Sequence, residues 1–275
     1  MGKYGEIRRD FLEERDRILN ALSQPENEGL ILRLVGALAF RTHCPEFGYI
    51  QDALGREFTD FDFASYRRLA GPVTRFLTEL GYVEDKTVTQ LFGEGRLLFH
   101  DPKYGRHIDV FFDKLHFSHT IPLQGRLEVE TLTLPLAELV LEKMQIVQIN
   151  EKDLIDTIML LREHPIGNSD EETINGGIIA RLCAKDWGLW RTVTRNLELV
   201  KEFTERYEVL TDEDQSVVQQ RVDELLERIE SAPKGFRWKI RSVVGERMKW
   251  YEEVEELANR GPSTGENLPP GTRGG

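Results

Sequence analysis

The five residues Thr-Asp-Phe-Asp-Phe that begin at Thr59 constrain the fold most, because acidic and aromatic side chains alternate strictly. On a β-strand this alternation places Asp60 and Asp62 on one face and Phe61 and Phe63 on the other. Two carboxylates on one face repel each other unless a cation or a proton lies between them. The stretch therefore predicts a strand with an apolar inner face and a cation-binding acidic face. A solvated edge strand is the alternative that this stretch leaves open.

A second alternating segment, residues 106–113, supplies a third acid. Its apolar positions point away from Asp109, so Asp109 would stand beside Asp60 and Asp62 if the two strands are neighbours. Mg²⁺ takes oxygen ligands, usually one or two carboxylates together with substrate phosphates and water. The three aspartates therefore predict a site for Mg²⁺ or Mn²⁺ and point to chemistry at a phosphate.

Composition limits the class of protein. With 275 residues, of which 40% are hydrophobic, the chain can bury a core in one large domain or two smaller ones. A net charge of −12 disfavours broad binding to nucleic acid. We expect a cytoplasmic protein without a membrane partner, because the sequence contains no long apolar segment and no signal-peptide pattern. Cys44 and Cys183 fit no disulfide or metal spacing and are expected to be reduced thiols.

A strand that runs into a glycine and a lysine within an apolar stripe complete the set of candidate features. The apolar segment 30–35 runs directly into Gly36 and Ala37, which predicts a strand followed by a helix at a point where the backbone approaches another group closely. Pro135 predicts the start of a later helix in which Lys143 lies within an apolar stripe. Its ammonium either reaches solvent from that stripe or points into a cleft and meets a phosphate.

The next predicted helix carries two more acids. Asn150 is placed to cap it, and Asp153 and Asp156 share one of its faces. These acids form a solvated face, or they hold a lysine or a loop near the cleft.

Other local patterns predict the remaining elements. The apolar spacing of residues 7–22 predicts an amphipathic helix, and Ser65 is placed to cap a helix over residues 66–80. A Gly-Glu-Gly sequence between residues 88–92 and 96–99 predicts a hairpin. After Pro165 the periodicity is helical almost to the end.

One helical segment, residues 234–241, is both basic and aromatic. We expect Phe236, Trp238 and Ile240 to pack inward behind a charged outer face, and contact with RNA is the alternative.

The order of these motifs resembles the nucleotidyltransferase superfamily, and within it most closely the abortive-infection toxins of type IV toxin–antitoxin systems and their uncharacterised relatives. The likeness covers roughly residues 30–160 and rests on the following positions: Gly36, Ala37, Asp60, Asp62, Asp109, Lys143, Asp153 and Asp156. It implies an α+β fold, with a nucleotidyltransferase-like mixed sheet and flanking helices followed by an all-helical domain.

Together, the local patterns and the resemblance predict domain limits. The N-terminal amphipathic helix would occupy residues 1–25 and the nucleotidyltransferase-like core residues 26–133. The helical domain would follow over residues 134–259, and a Pro- and Gly-rich tail, expected to be disordered, over residues 260–275.

The reaction that the resemblance implies is transfer of a nucleoside monophosphate from a nucleoside triphosphate to an acceptor hydroxyl on RNA, protein or a small molecule. Asp60, Asp62 and Asp109 would be catalytic and would ligate Mg²⁺ or Mn²⁺. Gly36 and Ala37 would lie at the phosphates, Lys143 would meet the triphosphate, and Asp153 matches an acid of the family's later helix. An antitoxin protein is the partner that the likeness suggests.

Two alternatives remain open. Ala37 stands where the family usually has glycine or serine, which leaves room for a catalytically impaired relative that acts as a binding module. A metal hydrolase built on His100, His107, His116 and His119 is a weaker hypothesis. The spacing of His116 and His119 could seat zinc, but residues 117–118 look like a strand or loop, where this spacing does not bring the two rings together.

Overall fold

The computed structural model describes residues 3–92 and 94–253 of the chain. Within these residues the fold mixes helices with a five-stranded mixed sheet, which confirms the prediction of an α+β fold. The strands are β1 (Leu32–Val35), β2 (Asp60–Ser65), β3 (Val83–Glu84), β4 (Arg96–His100), β5 (His107–Phe112), β6 (Lys114–His116), β7 (Thr120–Pro122), β8 (Ile166–Gly167) and β9 (Ile174–Asn175).

Helices make up most of the remaining structure. They are α1 (Lys3–Leu22), α2 (Gly36–His43), α3 (Tyr49–Ala53), α4 (Ala70–Glu79), α5 (Lys86–Phe92), α6 (Leu136–Met144), α7 (Glu151–Glu163), α8 (Gly176–Lys185), α9 (Trp187–Thr204), α10 (Asp212–Ser231) and α11 (Phe236–Val244). Among the described residues, no helix combines the length and the apolar character needed to cross a bilayer.

The main sheet has the strand order β1-β2-β5-β4-β3. The pair β2 and β5 is parallel, whereas the pairs β1 with β2, β4 with β5 and β3 with β4 are antiparallel. Because β2 and β5 are adjacent and parallel, they carry their acidic residues on neighbouring positions of one face. The opposite face carries Phe61, Phe63, Ile108 and Val110, all with 0% exposure, as the alternation predicts.

The core is one connected cluster of buried apolar side chains that runs from Phe11 in α1 to Ile229 in α10. Helix α6 lies at its centre: all of its residues are buried, and it packs against α2, α7, α8 and α9. The short parallel pair of β8 and β9 interrupts the region that was expected to be all helical. The domain limits proposed from the sequence stay a prediction.

The predicted hairpin before residue 99 is wrong. Residues 86–92 form helix α5, whose start is fixed because the Asp85 carboxylate accepts hydrogen bonds from the backbone N–H groups of Thr87 and Val88. Strand β4 pairs instead with β3 and β5, which lie on either side of it.

Two other local predictions also fail. Ser65 does not cap a helix, because it ends β2 and its hydroxyl donates a hydrogen bond to the backbone oxygen of Ile31. Phe236 and Ile240 do not pack inward, since they are 78% and 52% exposed, while Trp238 is partly buried. The predicted disordered tail, residues 260–275, lies outside the described residues.

Phe63 tests how strongly the sheet depends on the inner face of β2. Phe63→Ala should lower the free energy of unfolding by about 3–5 kcal/mol, because it leaves a cavity on the central strand. Urea denaturation measures the loss. The matched control is Phe236→Ala in α11, where the ring is 78% exposed and the change should stay within about 0.5 kcal/mol. Equal losses at the two positions would contradict the prediction.

Candidate functional site

Three aspartates form an acidic ledge on one face of the sheet, defined by Asp60, Asp62 and Asp109. In the parallel pair of β2 and β5, Asp62 lies directly beside Asp109, and on the other side Asp62 lies opposite Val35. Asp60 and Asp62 are partly exposed, whereas Asp109 is 7% exposed. The structure therefore brings together the three acids that the sequence singled out.

Asp62 occupies the least favourable position for a charge on the ledge. Its pKa is raised well above the usual aspartate range, first because of burial and then because of the negative charges of Asp60, Asp109 and Glu142. Within the described part of the chain, its carboxylate forms no hydrogen bond and no ion pair. A cation placed at Asp62 would remove this repulsion.

Asp109 already has a cationic partner. The guanidinium of Arg96 in β4 donates two hydrogen bonds of 2.6 Å each, one to each carboxylate oxygen of Asp109. Burial raises the pKa of Asp109, and the ion pair with Arg96 opposes that rise. Sequence reasoning missed Arg96 because it assigned β4 to a hairpin, although an arginine at the start of a strand next to an acidic strand was a usable signal.

Gly36 is required by the close approach of Asp62. Gly36 has φ +69°, and a Cβ atom at this position would lie 2.5 Å from the Oδ2 atom of Asp62. Such a contact is far inside van der Waals distance, so the glycine is needed both for its backbone conformation and for space. The expectation that the backbone at Gly36 comes close to another group is confirmed, and that group is the acidic ledge.

The first N–H group of α2 is bound by a carboxylate from α6. The Gly36 N–H donates a hydrogen bond of 3.1 Å to the Oε2 atom of Glu142. Ala37 follows at the partly buried second position of the helix, and its backbone oxygen accepts a long contact of 3.5 Å from the Gln51 side-chain amide. Glu142 therefore binds where the orphan N–H groups of a helix start would attract an anion.

Lys143 neither reaches solvent nor stands alone in a cleft. Its ammonium lies 3.3 Å from Glu142, 3.2 Å from Asp153 and 3.5 Å from Asp156. The pKa of Lys143 is raised because these three carboxylates outweigh the opposing effect of burial. The prediction that the acids of α7 could hold a lysine is confirmed, and the Asn150 cap of α7 is confirmed as well.

Asp156 is fully buried and has two further partners. The Arg56 guanidinium binds both of its carboxylate oxygens at 3.1 Å, and the Gln51 amide donates a hydrogen bond of 2.7 Å. Sequence reasoning missed Arg56, Gln51 and Glu142. Gln51 lies in the short helix α3 and Arg56 in the loop after it, where the sequence shows no clear periodicity, and the adjacent Lys143 drew attention away from Glu142.

The fit of the site to a metal ion depends on which acids have free oxygens. Among the described residues, no group of three or more His, Cys, Asp or Glu side chains is arranged to hold a metal ion. Asp109 is bound on both oxygens by Arg96, but Asp60 and Asp62 face the same side without a basic partner in contact. This pair fits the one or two carboxylates that Mg²⁺ takes from a protein when phosphates complete its shell.

The two histidines proposed for zinc are held apart. His116 contacts Thr120 and Glu252 through its two ring nitrogens, whereas the His119 Nε2 contacts Thr192 at 2.8 Å. The rings therefore serve different local networks.

Two surface cavities of about 540 Å³ each lie away from the ledge. One is lined by residues 22–30 with Arg33, Thr131 and Leu132, and the other lies between α8 and the start of α11. Neither contains a residue of the ledge. The candidate site is therefore identified by the three aspartates of the ledge and by Gly36, and not by a cavity.

Comparisons of this chain with protein-family models, with curated proteins and with solved structures found no match. The nucleotidyltransferase resemblance therefore stays a prediction.

Gly36 can be tested against a glycine of almost the same backbone conformation. Gly55 has φ +68° and no atom within 4 Å of the added Cβ, so Gly55→Ala reports backbone strain alone, roughly 1–2 kcal/mol. Gly36→Ala should cost about 1–3 kcal/mol more, because the methyl group collides with Asp62. Urea denaturation of both variants gives the difference. In an Asp62→Ala background the extra cost should largely disappear, and a cost that persists there would contradict the clash.

Asp62 also predicts a pH dependence of stability. Because its pKa is raised in the folded state, the folded chain binds a proton that the unfolded chain has released, and stability falls as pH rises from about 4 towards the raised pKa. Asp62→Asn should remove this loss in buffer with a metal chelator. Its melting temperature should exceed that of the wild type by a few degrees at about pH 8 and by little at about pH 4.

Differential scanning calorimetry at the two pH values checks this prediction. The exposed control Asp212→Asn in α10 should change the melting temperature little at either pH. A gain for Asp62→Asn that is the same at both pH values would contradict the electrostatic cause.

Proposed function

We propose that this chain is a nucleotidyltransferase that uses Mg²⁺ or Mn²⁺ to transfer a nucleoside monophosphate from a nucleoside triphosphate to an acceptor hydroxyl. The observation that carries the proposal is the acidic ledge, on which Asp60 and Asp62 share one face of a strand beside Asp109. The relation to the abortive-infection toxins, with RNA or protein as acceptor and an antitoxin as partner, belongs to the same proposal.

The order of the elements around the ledge supports it. Strand β1 ends at Val35, and the next residue, Gly36, lies against Asp62 and begins α2. Strand β2 carries the two acids, and the parallel strand β5 carries the third. Three aspartates on one face, with the backbone of Gly36 close to Asp62, suit a reaction that needs positioning and charge neutralisation more than covalent chemistry.

On this proposal Asp60 and Asp62 would hold the metal ion, which would neutralise the triphosphate and polarise the phosphorus that is attacked. Arg96 orients Asp109 and supplies positive charge at the ledge. Lys143 would support the site indirectly, because its ammonium holds the carboxylates of Glu142, Asp153 and Asp156 in place.

The Arg96 ion pair favours a second candidate function. A bidentate arginine that occupies both oxygens of Asp109 also suits a chain that has kept the fold, has lost the reaction and serves as a binding module. The two functions differ in whether label is transferred from a bound triphosphate.

Label transfer tests the proposed reaction directly. The full chain is incubated with each α-labelled nucleoside triphosphate, Mg²⁺ or Mn²⁺, and total RNA or cell lysate. We expect label on one class of acceptor, and we expect Asp60→Asn with Asp62→Asn to lower transfer by at least about 100-fold, since the metal would lose its carboxylates. Asp212→Asn is the matched control and should transfer as the wild type does.

The outcomes separate the two candidates. Transfer that survives the double change would refute the assignment of Asp60 and Asp62. Triphosphate and metal that bind in calorimetry without any transfer would favour the binding module.

A further inference from the structure

Helix α11 has an apolar face that the fold leaves uncovered. Phe236, Ile240 and Val243 are 78%, 52% and 81% exposed, and their spacing puts them on one face of the helix. We call these three residues the α11 stripe. None of the residues of α11 is buried. Exposed apolar side chains that form a continuous stripe mark an interaction surface more often than single exposed ones do.

A groove lies beside the start of α11, and Arg237 and Trp238 are the residues of α11 that line it. Its volume is about 540 Å³, and it lies between one face of α8 and the connection from α10 to α11. Its floor is made by small or apolar residues, including Ala180, Ala184 and Pro233, with Trp238 as one wall. The indole N–H of Trp238 donates a hydrogen bond of 3.0 Å to the backbone oxygen of Cys183, so this wall is fixed.

The charged side chains around this surface are positive, although the net charge of the chain is negative. The groove is lined by Arg181, Lys185 and Arg237, and among the described residues no acidic side chain lines it. At 100° per residue, Arg237 and Lys239 flank the α11 stripe on its two sides. All four cations are exposed, and none forms an ion pair within the described residues. This local positive charge is notable in a chain of net charge −12.

We propose that the α11 stripe and its groove dock a short, acidic, amphipathic helix of a partner protein. The apolar face of such a helix would cover the α11 stripe, and its carboxylates would meet the four cations. The net charge decides against a long polyanion such as RNA, because the field of the whole chain repels an extended phosphate backbone. A short segment interacts mainly with the cations next to it, since salt screens the more distant charges. This surface is distinct from the acidic ledge and does not depend on the proposed reaction.

The test uses the full chain and three labelled peptides of about five helical turns. The first has leucine on one face and glutamate elsewhere. The second replaces every glutamate by lysine, and the third has the composition of the first with the leucines scattered around the helix. Fluorescence anisotropy should show binding of the first peptide that weakens as salt rises. We expect the other two to bind at least about tenfold more weakly.

Two pairs of substitutions locate the binding surface. Phe236→Ser with Val243→Ser removes the apolar contact, and Arg237→Glu with Lys239→Glu reverses the flanking charge. Each pair should weaken the first peptide by about tenfold or more, and the charge reversal should also reduce its salt dependence. These side chains are exposed, so folding should be unaffected. The matched control is Leu91→Ser with Arg75→Glu, also at exposed positions, which should leave binding unchanged.

Each other outcome overturns the proposal. Three results would refute an acidic partner. The lysine peptide could bind as tightly as the first peptide, the variants could bind the first peptide as the wild type does, or the first peptide could fail to bind up to about 1 mM. Single-stranded RNA that binds at the same residues and displaces the peptide would assign the surface to nucleic acid. A dimer in sedimentation that Phe236→Ser abolishes would assign it to a second copy of this chain.

Discussion

The packing of α2, α6 and α7 beside the sheet depends on the ion pairs that the buried ammonium of Lys143 forms. This ammonium lies within 3.5 Å of Glu142, Asp153 and Asp156, so one cation neutralises carboxylates from α6 and α7. Without it, buried negative charges would face each other, which is far more costly than losing an apolar contact. Because Glu142 also accepts the Gly36 N–H, the same cluster fixes the start of α2 beside the sheet. The position of Gly36, and with it the space around Asp62, follows from this buried lysine.

The distribution of cations explains why the ledge is the place for a ligand. Lys143 and Arg56 compensate the acids behind α2, and Arg96 compensates Asp109. No basic side chain within the described residues contacts Asp60 or Asp62, so this pair keeps an excess of negative charge at a partly exposed position. A fold that satisfies its other buried acids with basic partners and leaves two neighbouring acids unpaired is arranged to attract a cation from solution.

Local sequence patterns predicted most of the elements but not their partners. The alternation around Asp60 and the cap at Asn150 depend on residues close in the chain, and both predictions are confirmed. The hairpin prediction failed because residues 86–92 form α5, so β4 pairs with β5, the next strand along the chain, and not with the segment before it. The partner of Arg96 was missed because that partner lies on β5. Periodicity predicted that residues 236–244 are helical, yet the prediction that Phe236, Trp238 and Ile240 pack inward was wrong for Phe236 and Ile240. The three aspartates of the site could be predicted from the sequence. Arg96, Arg56 and Glu142 could be identified only from the tertiary structure.

Glu142 places a further constraint on how an anionic substrate could approach the ledge. A phosphate that used the Gly36 N–H would have to displace the Glu142 carboxylate, which already accepts that hydrogen bond at 3.1 Å and is held by Lys143. Burial raises the pKa of Glu142, while Lys143 and the Gly36 N–H oppose the rise and so stabilise the charged form. At the first residue of α2, the N–H of Gly36 is therefore already bound to a carboxylate. In the proposed reaction, cations bound at Asp60 and Asp62 together with Arg96 would attract the triphosphate, so the metal ion would contribute to binding as well as to the chemistry.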